Sequence, residues 1–263
     1  MGVIVFDTQE GVQTVVCYRT KEGRGAGWNR PLRSKYSPIM GQMIEFTSNG
    51  GTAEGYGAGD SGPGVLVIQE WWGLNDHIKS IVDRFAAEGF VALAPDLYHG
   101  KTTTEPDGAG KLMMAMNIDE ASKDMSGAID ELQKRSGRTK VGAIGFCMGG
   151  GLALVVACKR PDAVAATAPF YGLIPWESAQ PDWSAMAAKV EGHYAADDHS
   201  FPPDKAEELQ TKLRSLGKDA TLFVYPEVDH AFFNDTRPEV YDEATAAIAW
   251  ARVLDLFRTE LTA

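Results

Sequence analysis

A chain of 263 residues that is 44% hydrophobic and 23% charged carries enough apolar material for a sizeable core, which excludes an extended polar polymer. Its 25 basic and 36 acidic residues give a net charge of −11, which repels phosphate backbones and anionic headgroups and speaks against nucleic-acid or membrane-surface binding. No apolar run approaches the roughly 20 residues of a spanning helix, and the N-terminus lacks the basic segment and apolar stretch of a secretory signal, so a cytoplasmic location is expected.

Residues 1–42 carry Arg19, Lys21, Arg24, Arg30, Arg33 and Lys35 against Asp7, Glu10 and Glu22, a basic stretch in an acidic chain. With Gly-Arg-Gly-Ala-Gly and little periodicity after Tyr18, they read as an N-terminal extension of a composition suited to poor order. Met40 or Met43 is an alternative opening, and residues 43–263 are the expected domain.

From there, short apolar runs alternate with helical stripes. Val65-Leu66-Val67-Ile68 follows Gly62-Pro63-Gly64 and has the length and continuity of a strand buried on both faces. After Asn75, a cap, the stripe Ile78, Ile81, Val82, Phe85, Ala86 predicts a helix that Gly89 ends. Phe90–Ala94 is the next strand, closed by Pro95. Lys101–Met116, with Gly108, Gly110, Met113, Met114 and Met116, reads as a flexible cover. Asn117 and Glu120 form a capping-box start for a helix through Leu132, stopped by Gly137. Strands follow at Val141–Gly145, Ala163–Phe170, Lys189–Ala195 and Thr221–Tyr225, with helices near 148–159, 203–216 and 239–258. Such alternation predicts one α/β domain: a mostly parallel sheet with helices on both faces, and chemistry at the carboxyl ends of its strands.

The strand Val141–Gly145 runs into Gly145-Phe146-Cys147-Met148-Gly149 and then a helix, the G-x-nucleophile-x-G elbow with cysteine as nucleophile. Small residues are needed on both sides because the turn is tight and the helix approaches the strand closely. A helix N-terminus also favours a thiolate and an oxyanion. Cys158 lies about 16 Å further along that helix, too far to bridge, and belongs to its apolar face. Cys17 falls in the extension and has no assigned role.

On this plan an acid and then a histidine follow the nucleophile in chain order. His230 stands on the loop after Thr221–Tyr225. His77 (first turn of a helix), His99 (loop), His193 (strand) and His199 compete less well, and no histidine has metal-ligand spacing, so neither a metal nor a cofactor is expected. The acid is Asp197 or Asp198, after the strand ending Tyr194-Ala195; adjacent side chains of an extended segment point opposite ways, so only one can serve. Glu70, after the first buried strand and before Trp71-Trp72-Gly73, is either a partly desolvated carboxyl with a raised pKa or an ordinary surface glutamate.

Together, Gln69-Glu70-Trp71-Trp72-Gly73-Leu74-Asn75, Ala94-Pro95-Asp96-Leu97-Tyr98, Gly145-Phe146-Cys147-Met148-Gly149-Gly150, Asp198-His199-Ser200-Phe201-Pro202 and His230-Ala231-Phe232 resemble the dienelactone hydrolase (carboxymethylenebutenolidase) family of α/β-hydrolases. The resemblance spans about residues 43–258 and implies the α/β-hydrolase fold and a Cys147–His230–Asp198 triad, choosing Asp198 over Asp197. It implies that Glu70 interacts with the resting thiol and takes its proton when substrate binds. Such a site would cleave a small ester or lactone through an acyl-thioester, with the Met148 and Trp71 amides holding the oxyanion. Tyr98, Tyr171, Trp72 and Phe232, with Phe170 and Trp176, are candidates to line the substrate site. The family's two carboxylate-holding arginines have no counterpart: the first region reads Tyr98-His99-Gly100-Lys101 and the fourth residue after His230 is Asn234, with Lys101 and Arg237 nearby but not equivalent by position. Alternative readings are a thioesterase or acyltransferase on the same triad, for which no basic coenzyme groove is evident, and a non-catalytic binding protein of this fold.

Overall fold

The computed structural model describes residues 40–48, 50–174 and 179–261. Cys17, Trp176 and nearly all of the proposed extension lie outside the described residues. The elements run β1 (Gln42–Ser48), β2 (Gly51–Ala58), β3 (Gly64–Ile68), α1 (Asp76–Ala87), β4 (Val91–Pro95), α2 (Pro106–Ala115), α3 (Ile118–Ser136), β5 (Val141–Phe146), α4 (Met148–Lys159), β6 (Val164–Phe170), β7 (Lys189–Ala195), α5 (Pro203–Ser215), β8 (Ala220–Tyr225) and α6 (Glu243–Glu260).

The strands form one eight-stranded sheet in the order β1-β2-β4-β3-β5-β6-β7-β8. Strands β3 to β8 pair in parallel, while β1 with β2 and β2 with β4 are antiparallel. Val65, Leu66, Val67 and Ile68 are all fully buried, as a strand covered on both faces requires. Alternation divides them: Leu66 and Ile68 belong to the apolar cluster on the face covered by α3 and α4, and Val65 and Val67 to the cluster on the face covered by α1. Burial of such a side chain contributes about 1.5–3 kcal/mol.

The expected caps are in place. Asn75 accepts from the Ile78 amide at 3.2 Å, Asn117 accepts from the amides of Asp119 and Glu120, and Gly137 ends α3 in the left-handed region at φ 68°. Four elements differ from expectation. The β1–β2 hairpin was not legible because β1 buries only Phe46 and Ser48, and β2 (Gly-Thr-Ala-Glu-Gly-Tyr-Gly-Ala) is too poor in large apolar residues to show a strand pattern. Its pairing to β4 makes it a strand. The stretch expected as a flexible cover contains α2 instead, begun by Pro106 at its first turn and anchored by the buried Ala109; its two glycines masked the helix. Helix α6 starts at Glu243 rather than near 239, because the Asp242 side chain caps it by accepting from the Thr245 amide at 2.7 Å. No helix among the described residues is long and apolar enough to cross a membrane.

Candidate active site

The parallel strands end in near register: Ile68 beside Gly145, Gly145 beside Pro169, Phe170 beside His193, and His193 beside Phe223. The chain just beyond each end therefore shares one edge of the sheet. Glu70 follows β3, Tyr98 follows β4, Cys147 β5, Tyr171 β6, Asp198 β7 and His230 β8. Residues separated by up to 160 positions in sequence are brought together by topology alone.

Cys147 is the one residue between β5 and α4, with φ 53° and ψ −119°. A cysteine in that region is strained by about 1–3 kcal/mol. The strain is sustained from both sides: the Cys147 amide donates to the Phe170 carbonyl at 3.0 Å, and its carbonyl accepts from the Gly150 amide at 2.9 Å. Gly149 shows why the flanking residue is glycine. A Cβ there would stand 2.5 Å from the carbonyl oxygens of Ile68 and Gln69, so only glycine lets the start of α4 press against the end of β3. That contact sets the Gln69-Glu70-Trp71 turn beside the first turn of α4, whose amides have no partner within the helix.

His230 lies on the loop after β8. Its Nδ1 stands 2.7 Å from Asp198 Oδ2, and Cys147 is near enough to bear on its charge. Asp198 is buried, and its other oxygen accepts from the amides of Ser200 (2.7 Å) and Phe201 (2.9 Å). Asp197, one residue earlier, is exposed. Of the two aspartates, Asp198 is the one in contact with His230. Burial opposes the charged form of His230, but the hydrogen bond to Asp198 and the nearby Cys147 outweigh it and hold the imidazole at about 10. Burial likewise opposes the Asp198 carboxylate, and its contacts with His230 and the two amides keep it below its ordinary value. The ring of His230 is flanked by Tyr171, edge-on at 5.0 Å between centroids, and by Phe201 at 5.8 Å. Phe201 had no role in the sequence reading, although it stands three residues beyond Asp198.

Glu70 is 1% exposed, which removes the reading of it as a surface glutamate. Its Oε2 accepts from Asn234 Nδ2 at 3.0 Å. The amide of Asn234 is oriented because its Oδ1 is taken by the amide (3.1 Å) and hydroxyl (2.7 Å) of Thr236. Burial raises the pKa of Glu70; His77, His230, Arg237 and the Asn234 hydrogen bond act against that rise. Asn234, a departure from the family pattern in sequence, is in the structure the partner of Glu70.

The remaining candidates fall into two groups. Trp71 and Trp72 are partly exposed and meet edge to face at 5.0 Å, and Met148, also partly exposed, receives the Tyr98 hydroxyl on its sulfur at 3.4 Å. Tyr98 is aimed there by a turn in which Asp96 accepts from the amides of Tyr98 (3.1 Å) and Gly100 (2.6 Å). Burial, and then the proximity of Cys147, push the Tyr98 hydroxyl well above its usual pKa. Tyr171, Phe170 and Phe232 are instead fully buried and form an aromatic floor: Tyr171 and Phe232 lie 5.5 Å apart, and Phe170 and Phe232 lie 6.2 Å apart. Of these three, Tyr171 is the one whose ring meets that of His230. Cys158 is buried in the core, where burial pushes its thiol up to about 12. Lys101 is exposed, and Arg237 pairs through Nε with Glu239 at 2.9 Å.

The sequence profile of the dienelactone hydrolase family matches residues 53–261, the sheet beyond β1 together with every loop just described. This chain belongs to the dienelactone hydrolase family. Among its relatives, a protein of Aquifex pyrophilus named protein usf is 40% identical over 233 residues, covering 85% of this chain and all of that one. A protein of Aquifex aeolicus, provisionally named a carboxymethylenebutenolidase, is 38% identical over 232 residues, covering 84% of this chain and all of that one. A crystal structure from Klebsiella pneumoniae, provisionally named a dienelactone hydrolase, superposes with a TM-score of 0.76 at 28% identity, covering 84% of this chain and 98% of that one. This member of the dienelactone hydrolase family is thus a hydrolase on the α/β-hydrolase fold, and a small ester or lactone is the substrate class consistent with that family.

Proposed function

We propose that this dienelactone hydrolase family member cleaves small esters or lactones through Cys147 as nucleophile, with His230 and Asp198 completing the triad and Glu70 as a second proton acceptor. The observation that carries the reading is the junction of a left-handed Cys147 at the head of α4 with a His230 that Asp198 grips at 2.7 Å.

The steps follow from the charge states. When substrate enters, the thiol proton passes to the Glu70 carboxylate, and the thiolate adds to the carbonyl carbon. The tetrahedral oxyanion is held by the amides of Met148 and Trp71, one at the head of α4 and one on the turn that Gly149 allows against it. Collapse breaks the carbon–oxygen bond, and His230, an imidazolium at neutral pH, protonates the departing alkoxide or enolate. The now neutral His230 takes a proton from water, whose hydroxide adds to the acyl-thioester. The acid leaves, and the expelled thiolate recovers its proton from Glu70, so that one water is consumed and every group is restored.

The test is p-nitrophenyl acetate hydrolysis by the wild type, Cys147→Ala and Glu70→Ala. Turnover by the wild type with none by Cys147→Ala is the expected result. Equal rates for Cys147→Ala and wild type would remove the nucleophile and favour a non-catalytic binding protein.

A further inference from the structure

Two buried polar groups near the ends of β7 and β8, His193 and Tyr225, take no part in the chemistry proposed above. His193 is fully buried, beside Phe170 of β6 and Phe223 of β8 in the sheet register, and its ring lies 4.4 Å from that of Phe170 and 5.7 Å from that of Phe223. A phenylalanine would complete that row of rings at less cost, because His193 Nε2 is buried with no hydrogen-bond partner among the described residues. What the histidine adds is its other nitrogen. Nδ1 stands 2.9 Å from the Tyr225 hydroxyl, which itself accepts from Arg252 Nη1 of α6 at 3.0 Å. A guanidinium only donates, so the Tyr225 oxygen is the acceptor of that bond and its single proton goes to His193 Nδ1. The order of donors makes His193 a neutral imidazole with its proton on Nε2. Burial and then the charge of Arg252 act in the same sense, holding the imidazole down at about 3.

Both residues also hold loops of the candidate site. The His193 carbonyl accepts from the Tyr171 amide at 2.8 Å, and the Tyr225 carbonyl accepts from the Ala196 amide at 2.8 Å. One residue on, the Asp197 amide donates to the Val228 carbonyl at 3.1 Å, so the segments leading to Asp198 and to His230 are bonded to each other just before they reach those residues. The Tyr225 ring meets Phe232 at 5.4 Å, Phe232 meets Tyr171 at 5.5 Å, and Tyr171 meets His230 at 5.0 Å. The loop between Tyr225 and Phe232 is strained as well, with Glu227 at φ 59° and Ala231 at φ 66°, both non-glycine residues in the left-handed region. Such a loop keeps its shape when its ends are pinned, and the Tyr225 hydroxyl pins one end to β7 and to α6 at once.

We propose that Arg252, Tyr225 and His193 form a positioning relay that sets how closely Asp198 meets His230. The three act through the loops after β6, β7 and β8. The inference rests on Asp198 and His230 being partners in the triad, and it extends that site to a row of side chains behind it.

The experiment compares the wild type, Tyr225→Phe, His193→Phe, the double variant and Asp198→Asn. It follows the NMR titration of the His230 ring, assigned by its loss in His230→Gln, together with kcat and KM for p-nitrophenyl acetate. The wild-type ring should titrate near 10, and Asp198→Asn should bring it down towards ~6.5. On the proposal, Tyr225→Phe and His193→Phe each lower it by about one pH unit and lower kcat by about tenfold with KM little changed. The double variant matches either single one, because the relay is lost only once. If Tyr225 and His193 only pack, their variants lower the melting temperature and leave the His230 titration and kcat where they are; that result, with Asp198→Asn still shifting the titration, overturns the inference and leaves the triad standing. Losses in the double variant equal to the sum of the single ones overturn it too, since they mark two independent contacts. If Asp198→Asn leaves the titration and kcat at their wild-type values, the triad reading falls and takes the inference with it. Should Tyr225→Phe or His193→Phe fail to fold, Arg252→Leu, changed at a half-buried position on α6, decides by the same titration.

Discussion

Asp198 and Glu70 are both carboxylates just beyond the ends of parallel strands, β7 and β3, and their surroundings send them in opposite directions. Asp198 accepts three hydrogen bonds, from two amides and His230, and stays below its ordinary pKa in spite of burial. The Glu70 carboxylate has, among the described residues, one hydrogen bond, from Asn234, and burial raises its pKa. Environment, more than residue type, thus separates the two carboxylates, in the sense that the proposed roles of orienting group and proton acceptor require. The grip of Asp198 on His230 has a consequence for pH. Because the imidazole is raised to about 10, its contribution to stability is complete below its ordinary value near 6.5 and is lost as pH climbs through about 10. Asp198→Asn should flatten that part of the melting-temperature profile, bring the alkaline limb of kcat/KM down towards pH ~6.5, and lower kcat by about 10⁴-fold if the triad works as in serine hydrolases. Thermal melts and rates between pH 6 and 10 measure all three. Neither the choice of Asp198 over Asp197 nor the burial of Glu70 could be read from local residues, because both depend on what lies opposite in space.

Among the elements, β5 and α4 meet under a tight local constraint. Cys147 is strained, and the strain is maintained by a helix packed closely enough that a methyl group at Gly149 would stand 2.5 Å from the carbonyls of Ile68 and Gln69. Those atoms are backbone and cannot swing aside. Gly149→Ala should therefore destabilise the protein by at least about 2 kcal/mol and displace the Glu70–Trp71 turn, costing activity as well as melting temperature. Circular-dichroism melts set beside esterase rates would show both losses; a variant as stable and active as wild type would mean that the turn tolerates a wider gap. This element pair was legible because its signal is local: an apolar strand, a glycine-flanked nucleophile and an apolar helix in succession. The β1–β2 hairpin and α2 were not, since β2 is a strand through its pairing to β4, and α2 is a helix in spite of two glycines.

For the molecule as a whole, the consequence concerns substrate choice. The family resemblance leads to a site with arginines for a substrate carboxylate, whereas here the position four residues after His230 is Asn234, turned to Glu70. Arg237 is engaged with Glu239 through Nε, and Lys101 is exposed on the loop beyond Tyr98. Neither position at which the family carries its carboxylate-holding arginines is an arginine here, so a neutral ester should be preferred. The ratio of kcat/KM for p-nitrophenyl acetate to that for cis-dienelactone should exceed one; a ratio well below one would show that Arg237 or Lys101 reaches the carboxylate after all. The sequence by itself determined the strand–helix alternation, the elbow at Cys147 and the histidine that follows in order, because hydrophobic period, glycine sterics and chain order are properties of short segments. Only the tertiary structure decided which aspartate meets His230, that Asn234 holds Glu70 and that Asp235 holds His77. Those pairs join residues 32, 164 and 158 positions apart, and it is the parallel sheet, by gathering its strand ends on one edge, that turns such separations into hydrogen bonds.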